Sequence, residues 1–288
     1  MTRALNALGS VFAYLILHPP RRRPHKDPSA LGLPFEEQTV RTSDARRLAC
    51  WLVGPDSPRV AVLGHGIGQG KSASLRTAQL LVGRGYQVLM LDHRGHGDSQ
   101  GDRRTWRVAD RFTDDIVSAC RWMAERSRPR TLVVFGYSFS TFPTVYALAS
   151  GSLPADGVVC ERGPGLNLAG MFEGFLLKAS EGSTAMGRLM RSAGLREATA
   201  AAAVRMLGAS WPPGAGDGLL GEVPQLYLVG EEDTVIHPGE VSALAQAWPR
   251  AEVRRLPGGH LRLSSSAGAE YDRLVHAFLD GVEGQDRG

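Results

Sequence analysis

The chain has 288 residues, of which 43% are hydrophobic and 22% charged, and a formal net charge of +4. That composition excludes a disordered or low-complexity chain and gives room for one large domain with an insertion. Much of the positive excess sits in one run, Arg21-Arg22-Arg23, with His25 and Lys26 close by; it reads as a solvated face, and no nucleic-acid partner is expected.

Residues 4–17 are mostly apolar but too short to span a bilayer. They lack the basic start and A-x-A cleavage site of a secretory signal, so the expected location is cytoplasmic. Two readings stand. The preferred one is a helix packed on the domain. The other is a helix lying at a membrane surface, with residues 4–23 making peripheral contact and Arg21 to Arg23 facing lipid headgroups. From residue 30 onward, short apolar runs alternate with helical patterns. Residues 39–42 and 47–53 read as strands around a turn at Ser43-Asp44, and 60–63 as a buried strand. A helix is expected over 72–85 from Leu75, Ala78, Leu81 and Val82, stopped at Gly83-Arg84-Gly85. Further strands are expected at 87–91, 131–135, 157–160, 225–229 and 251–256. Helices are expected at 108–126, 141–150, 238–248 and 268–282.

This alternation predicts an α/β fold, a mostly parallel central sheet with helices on both faces. The first two strands lack a helix between them, so that end should be antiparallel. Residues 163–222 interrupt the pattern with three helical stretches (166–179, 186–193 and 195–207) and read as a helical lid insertion. The expected organisation is an N-terminal segment, 1–29, and a core of 30–162 and 223–288. Cys50, Cys120 and Cys160 are far apart and lack C-x-x-C spacing. Neither a zinc site nor a disulfide framework is expected, and Cys160, closing an apolar run, reads as a buried free thiol.

The stretch Gly64-His65-Gly66-Ile67-Gly68-Gln69-Gly70-Lys71-Ser72 follows a buried strand and leads into a helix. It ends like a phosphate-binding P-loop, but that loop needs glycine five residues before Gly70, and His65 stands there. No register fits G-x-G-x-x-G, and two strands precede the loop where a dinucleotide fold has none. A second turn is more informative. Gly136-Tyr137-Ser138-Phe139-Ser140 joins a strand to a helix and approximates the G-x-S-x-G nucleophile elbow, with Ser140 in the last glycine's place. A nucleophilic serine needs a base and an orienting acid, which in an elbow architecture follow on later loops in the order acid, then histidine. The strand at 225–229 is followed by Gly230-Glu231-Glu232-Asp233, and that at 251–256 by Pro257-Gly258-Gly259-His260.

With Asp92-His93-Arg94-Gly95-His96-Gly97-Asp98-Ser99 after the fourth strand, these segments resemble the α/β-hydrolase superfamily over nearly all of residues 30–285. The resemblance implies Ser138 as nucleophile, Asp233 as acid and His260 as base, with Glu231 and Glu232 as rivals for the acid. It implies an oxyanion hole from the amides of Ile67 and Phe139, structural roles for His65, His93 and His96, and no cofactor or metal. Lys71 and Ser72 are then expected merely to open the next helix, and Asp98 and Ser99 to fix their own turn. The implied chemistry is acyl transfer from a small-molecule ester, thioester or amide to water through an acyl-enzyme on Ser138. Ser140 could crowd the elbow, and Phe139 could narrow the acyl pocket. Leu166, Met171, Phe172, Phe175, Leu176 and Met186 are candidates to line that pocket, with packing of the insertion the commoner role. An acyltransferase and a non-catalytic binding protein on the same fold are the alternatives. The oligomeric state is left open.

Overall fold

A computed structural model describes residues 3–21, 26–260 and 263–285. Arg22, Arg23 and His25 of the basic run lie outside the described residues. The strands are β1 (Phe35–Arg41), β2 (Arg47–Val53), β3 (Arg59–Gly64), β4 (Gln87–Leu91), β5 (Thr131–Tyr137), β6 (Gly157–Glu161), β7 (Gln225–Gly230) and β8 (Ala251–Leu256). They form one eight-stranded sheet in the order β1-β2-β4-β3-β5-β6-β7-β8. β1 pairs antiparallel with β2, and β2 with β4; every later pairing is parallel.

Strand residues alternate between two cores because successive side chains leave opposite faces. Val60, Val62, Leu132 and Val134 point to one side, where α3 (Val108–Ser127), α4 (Thr141–Ala149) and α8 (Pro238–Ala245) cover them. Ala61, Leu63, Val133 and Phe135 point to the other, where they meet α2 (Leu75–Gly83) and α10 (Gly268–Gln285), the latter through Tyr271, Val275 and Leu279. Both faces being covered explains why the central strands read as continuous apolar runs. All three cysteines are buried and unpaired.

Some boundaries differ from the sequence pattern. β1 begins at Phe35 rather than at residue 39, because as an edge strand it leaves most of its side chains exposed and carries little apolar signal. A 3-10 turn, Lys71–Ser74, precedes α2, which therefore starts at Leu75. α8 ends at Ala245, before Trp248.

Between β6 and β7 lie α5 (Leu168–Ser180), α6 (Ala185–Leu189) and α7 (Ala193–Leu207). With α1 (Arg3–Leu17) they form a third apolar cluster above the sheet, which also takes in Phe112, Phe139 and Phe142. α1 packs along α7 and buries Phe12, Ala13, Ile16 and Leu17. This is the preferred reading of the N-terminal segment. Its outer stripe, Leu8, Val11 and Leu15, remains exposed. No helix among the described residues is long and apolar enough to cross a membrane. The short α9 (Leu263–Ser266) precedes α10.

Candidate active site

Ser138 lies just past the C-terminal end of β5, one of the central parallel strands, where a strand, a tight turn and a helix meet. Its backbone φ is +48°, a conformation that costs a non-glycine residue energy and is held only where the surroundings impose it. Strand and helix approach so closely that a Cβ on Gly136 would lie 2.9 Å from Thr141 Cα. Ser140, in the position of the usual glycine, has an ordinary helical backbone (φ −66°, ψ −17°) and needs no glycine. Its hydroxyl turns into the core and shares a 3.0 Å hydrogen bond with His93 Nε2. The space it fills is vacated by Gly64, where a Cβ would fall 2.1 Å from Ser140 Oγ. The elbow is therefore relieved rather than crowded.

Ser138 Oγ is 2.7 Å from His260 Nε2, and His260 Nδ1 is 2.8 Å from Asp233 Oδ2. The second carboxylate oxygen of Asp233 accepts from the amides of Val235 (2.8 Å) and Ile236 (2.9 Å), which fixes the carboxylate plane. Glu231 and Glu232, the rivals for the acid, are exposed and outside this line. Ile67 and Phe139 border the same crevice as Ser138. The Ile67 amide has no acceptor among the described residues, and Phe139 sits in the first turn of a 3-10 segment, where amides lack an intrahelical partner.

The glycine loop is held by a buried polar network. His65 Nε2 accepts from the His93 amide (3.0 Å), so Nδ1 carries the proton and donates to Gly66 O (2.8 Å). His96 Nε2 accepts from the Gly68 amide (3.1 Å) and Nδ1 donates to Arg94 O (3.0 Å). Gln69 Oε1 takes the Gly66 amide at 3.2 Å. The structural roles expected of His65, His93 and His96 fit these bonds. Lys71 does more than open a helix. Its ammonium is buried, 2.6 Å from Asp92 Oδ2, 3.0 Å from Asp98 Oδ2 and 4.7 Å above the Trp51 ring. It is thereby occupied and unable to serve a nucleotide phosphate. Asp98 reaches across to Lys71 rather than only fixing its own turn, whereas Ser99 Oγ donates to Asp92 O (2.6 Å) and accepts from the Ala49 amide (2.8 Å).

Burial pushes His65 and His93 down to about 3 and His96 to about 4, so all three imidazoles are neutral in the fold. An unfolded histidine titrates near pH 6.5. Between that pH and about 4 the unfolded chain binds protons that the folded chain refuses, so stability falls as pH drops through this window. Asp115, which burial raises to about 6 against the pull of Arg94, has the opposite sign and offsets one of the three. Unfolding therefore takes up protons near pH 5, and stability falls as pH drops from 7 to 5. Urea melts at pH 7, 6 and 5 check this: the midpoint should fall steadily, and a constant midpoint would contradict buried neutral histidines.

Sequence reasoning missed Arg162. It lies just past β6 with φ +63°, donates from Nη1 to His260 O at 2.6 Å, and its Nε is 3.0 Å from Glu161 Oε1. Glu161 in turn accepts from Tyr271 Oη (3.0 Å). The Glu161–Arg162 pair at the end of β6 thus ties down the backbone that carries His260. The only available signal was charge at the end of an otherwise apolar strand.

The serine opens onto a narrow crevice lined otherwise by apolar side chains. Met171, Phe172 and Phe175 line it as candidates from the insertion, whereas Leu166 is exposed and Leu176 and Met186 pack within the third cluster. Phe139 borders the crevice and meets Phe112 edge-on at 5.0 Å. Leu168, Phe142, Leu207 and Ile16 complete walls that the sequence did not reveal.

A mostly parallel eight-stranded sheet flanked by helices, with a serine elbow at the centre and the acid and histidine loops after the last two strands, defines an α/β-hydrolase. Residues 56–205, just over half of the chain, match the family described as serine aminopeptidase, S33, and the chain belongs to that family. Among curated proteins, a monoacylglycerol lipase of Mycolicibacterium smegmatis is 30% identical over 135 residues, 46% of this chain and 43% of the lipase. Human protein ABHD12B is 28% identical over 139 residues, 46% of this chain and 37% of that protein. The match thus spans less than half the length of either relative. An esterase of Pyrococcus furiosus superposes on 91% of this chain and 98% of its own with a TM-score of 0.73 at 18% identity, a likeness of fold.

Proposed function

We propose that this protein is a serine hydrolase that cleaves carboxylic esters of apolar acyl groups through an acyl-enzyme on Ser138. The observation that carries the reading is the unbroken line Ser138–His260–Asp233, at 2.7 Å and 2.8 Å, at the edge of an apolar crevice. His260 Nε2 takes the hydroxyl proton as Ser138 Oγ attacks the ester carbonyl. Asp233 holds the other ring nitrogen and stabilises the imidazolium that forms. The amides of Ile67 and Phe139 receive the developing oxyanion. His260 then hands its proton to the departing alkoxide, and water, activated by the same imidazole, releases the acid. The segment 163–222 acts as a lid over the core of 30–162 and 223–288. No metal or cofactor takes part.

The family description would also suit an aminopeptidase. Such an enzyme needs a carboxylate to hold the substrate's free ammonium, and none of the described crevice-lining residues is charged. The apolar lining favours fatty acyl esters instead, in line with the lipase and esterase names of similar proteins.

The test combines fluorophosphonate labelling with hydrolysis of p-nitrophenyl esters from acetate to dodecanoate and of an aminoacyl p-nitroanilide. Labelling together with ester cleavage supports the reading, and preferred cleavage of the anilide would replace it with the peptidase. Faster transfer to added glycerol than to water would point to the acyltransferase, and a folded protein inert to both reagents to a binding protein.

A further inference from the structure

The least expected wall of the crevice comes from the other end of the chain. Ile16, in the last turn of α1, lines the same space as Ser138, Phe142 and Leu207. α1 lies outside the residues that match the family, so this wall is not part of the shared stretch.

The helix is fastened rather than laid loosely across the opening. It crosses α7 so closely at Gly9 that a Cβ there would lie 2.7 Å from the Ala198 carbonyl carbon. Ala13 is fully buried in the next turn, and Phe12 and Leu17 join the cluster that holds Phe139 and Phe142. At its C-terminal end, His18 Nε2 is 3.1 Å from Arg104 O, which ties the helix to the loop before α3. Residues at every turn that faces the protein are engaged, and Ile16 is the one that reaches the crevice.

We infer that Ile16 is a specificity-determining residue and that α1 fixes the length of acyl chain the crevice accepts. The inference rests on the ester-hydrolase reading above. A branched side chain in a wall of an apolar slot competes directly with substrate methylenes for the same volume. The structure holds that side chain on a helix locked to α7, so the slot cannot simply widen around a longer chain. Each methylene that gains or loses an apolar partner in such a pocket changes transition-state binding by a factor of roughly 10 or more.

The experiment compares wild type, Ile16→Ala, Ile16→Trp and Leu15→Ala on p-nitrophenyl butanoate, octanoate and dodecanoate. The readout is the ratio of kcat/KM for dodecanoate over butanoate. Ile16→Ala should raise it by about tenfold, and Ile16→Trp should lower it by a similar factor. Leu15, 41% exposed on the outer stripe, serves as the control, and its variant should keep the wild-type ratio. A ratio that stays within about twofold of wild type in both Ile16 variants overturns the inference. Should Ile16→Ala fail to fold, Ile16→Val and Ile16→Trp carry the same comparison. Second-order labelling rates with ethyl and dodecyl fluorophosphonates give an independent reading of the same slot without turnover. A wild type that labels but cleaves none of the esters sinks the proposed reaction, whereas cleavage with an unmoved ratio sinks only the role of Ile16.

Discussion

Ser138→Ala should lower kcat/KM for p-nitrophenyl esters by at least roughly 10⁴-fold and abolish fluorophosphonate labelling, with circular dichroism and melting behaviour close to wild type. The size follows from the geometry. In the proposed reaction, removing Oγ removes the atom that would form the covalent bond, and His260, 2.7 Å away, would be left as a base with nothing to activate except water. Asp233→Asn should cost almost as much, about 10⁴-fold. Oδ1 of Asp233 is committed to the Val235 and Ile236 amides, which want an acceptor. The asparagine must therefore keep its oxygen on that side and turn its amide nitrogen toward His260 Nδ1. Two donors would then face each other unless the imidazole carried its proton on Nε2, the tautomer that cannot accept from Ser138. Glu232→Gln, on the exposed neighbour, should leave the rate unchanged. A Glu232 variant as damaged as Asp233→Asn would mean that the acid has been misassigned.

The central sheet was legible in the sequence because parallel strands buried on both faces must be written as apolar runs, and Val60 to Leu63, Val88 to Leu91 and Leu132 to Phe135 are such runs. The order of Ser138, Asp233 and His260 could be read because each lies within a few residues of the end of a strand: β5, β7 and β8. Edges were less legible. β1 faces solvent over most of its length and carries Glu36, Glu37 and Gln38, so no hydrophobic period marks its start. The crevice was hidden for a different reason. Its walls come from α1, α4, α5, α7 and the loop after Asp233, and an apolar residue on a helix looks the same whether it meets a neighbour or an empty slot. Ile16 and Leu207 carried no signal beyond helical spacing. Lys71 was misjudged because lysine in a loop is ordinarily solvated, and its burial becomes evident only when β4 brings Asp92 beside it.

That misjudged lysine gives the largest expected loss of stability. Lys71→Met should destabilise the fold by about 3–5 kcal/mol, because it strands the Asp92 carboxylate, which has no solvent exposure. Only the amides of Lys71 (2.7 Å) and Asp98 (3.0 Å) would remain to satisfy it. In the wild type, burial is the largest single influence on the Asp92 carboxyl and acts to raise it, but the Lys71 ammonium, its hydrogen bond and the neighbouring donors together outweigh burial and hold it below its ordinary value. A depressed carboxyl contributes stability above its unfolded pKa of about 4, and that contribution is lost as pH falls through the folded value. Without Lys71 the balance reverses: burial raises the carboxyl, and acidification relieves the stranded charge by protonating it. The gap between wild type and Lys71→Met should therefore be widest near pH 7 and should narrow as pH falls toward 5. Adding Asp92→Asn to Lys71→Met should recover part of the loss, since a neutral amide in the same place carries a smaller desolvation cost. Urea melts of the wild type, the single and the double variant at pH 7 and pH 5 measure all of this. A loss below about 1 kcal/mol at pH 7 would mean that the pair is solvated and that the loop carrying Ile67 does not depend on it. The predicted loss with a falling kcat/KM would instead tie the stability of that buried pair to the glycine loop that carries Ile67.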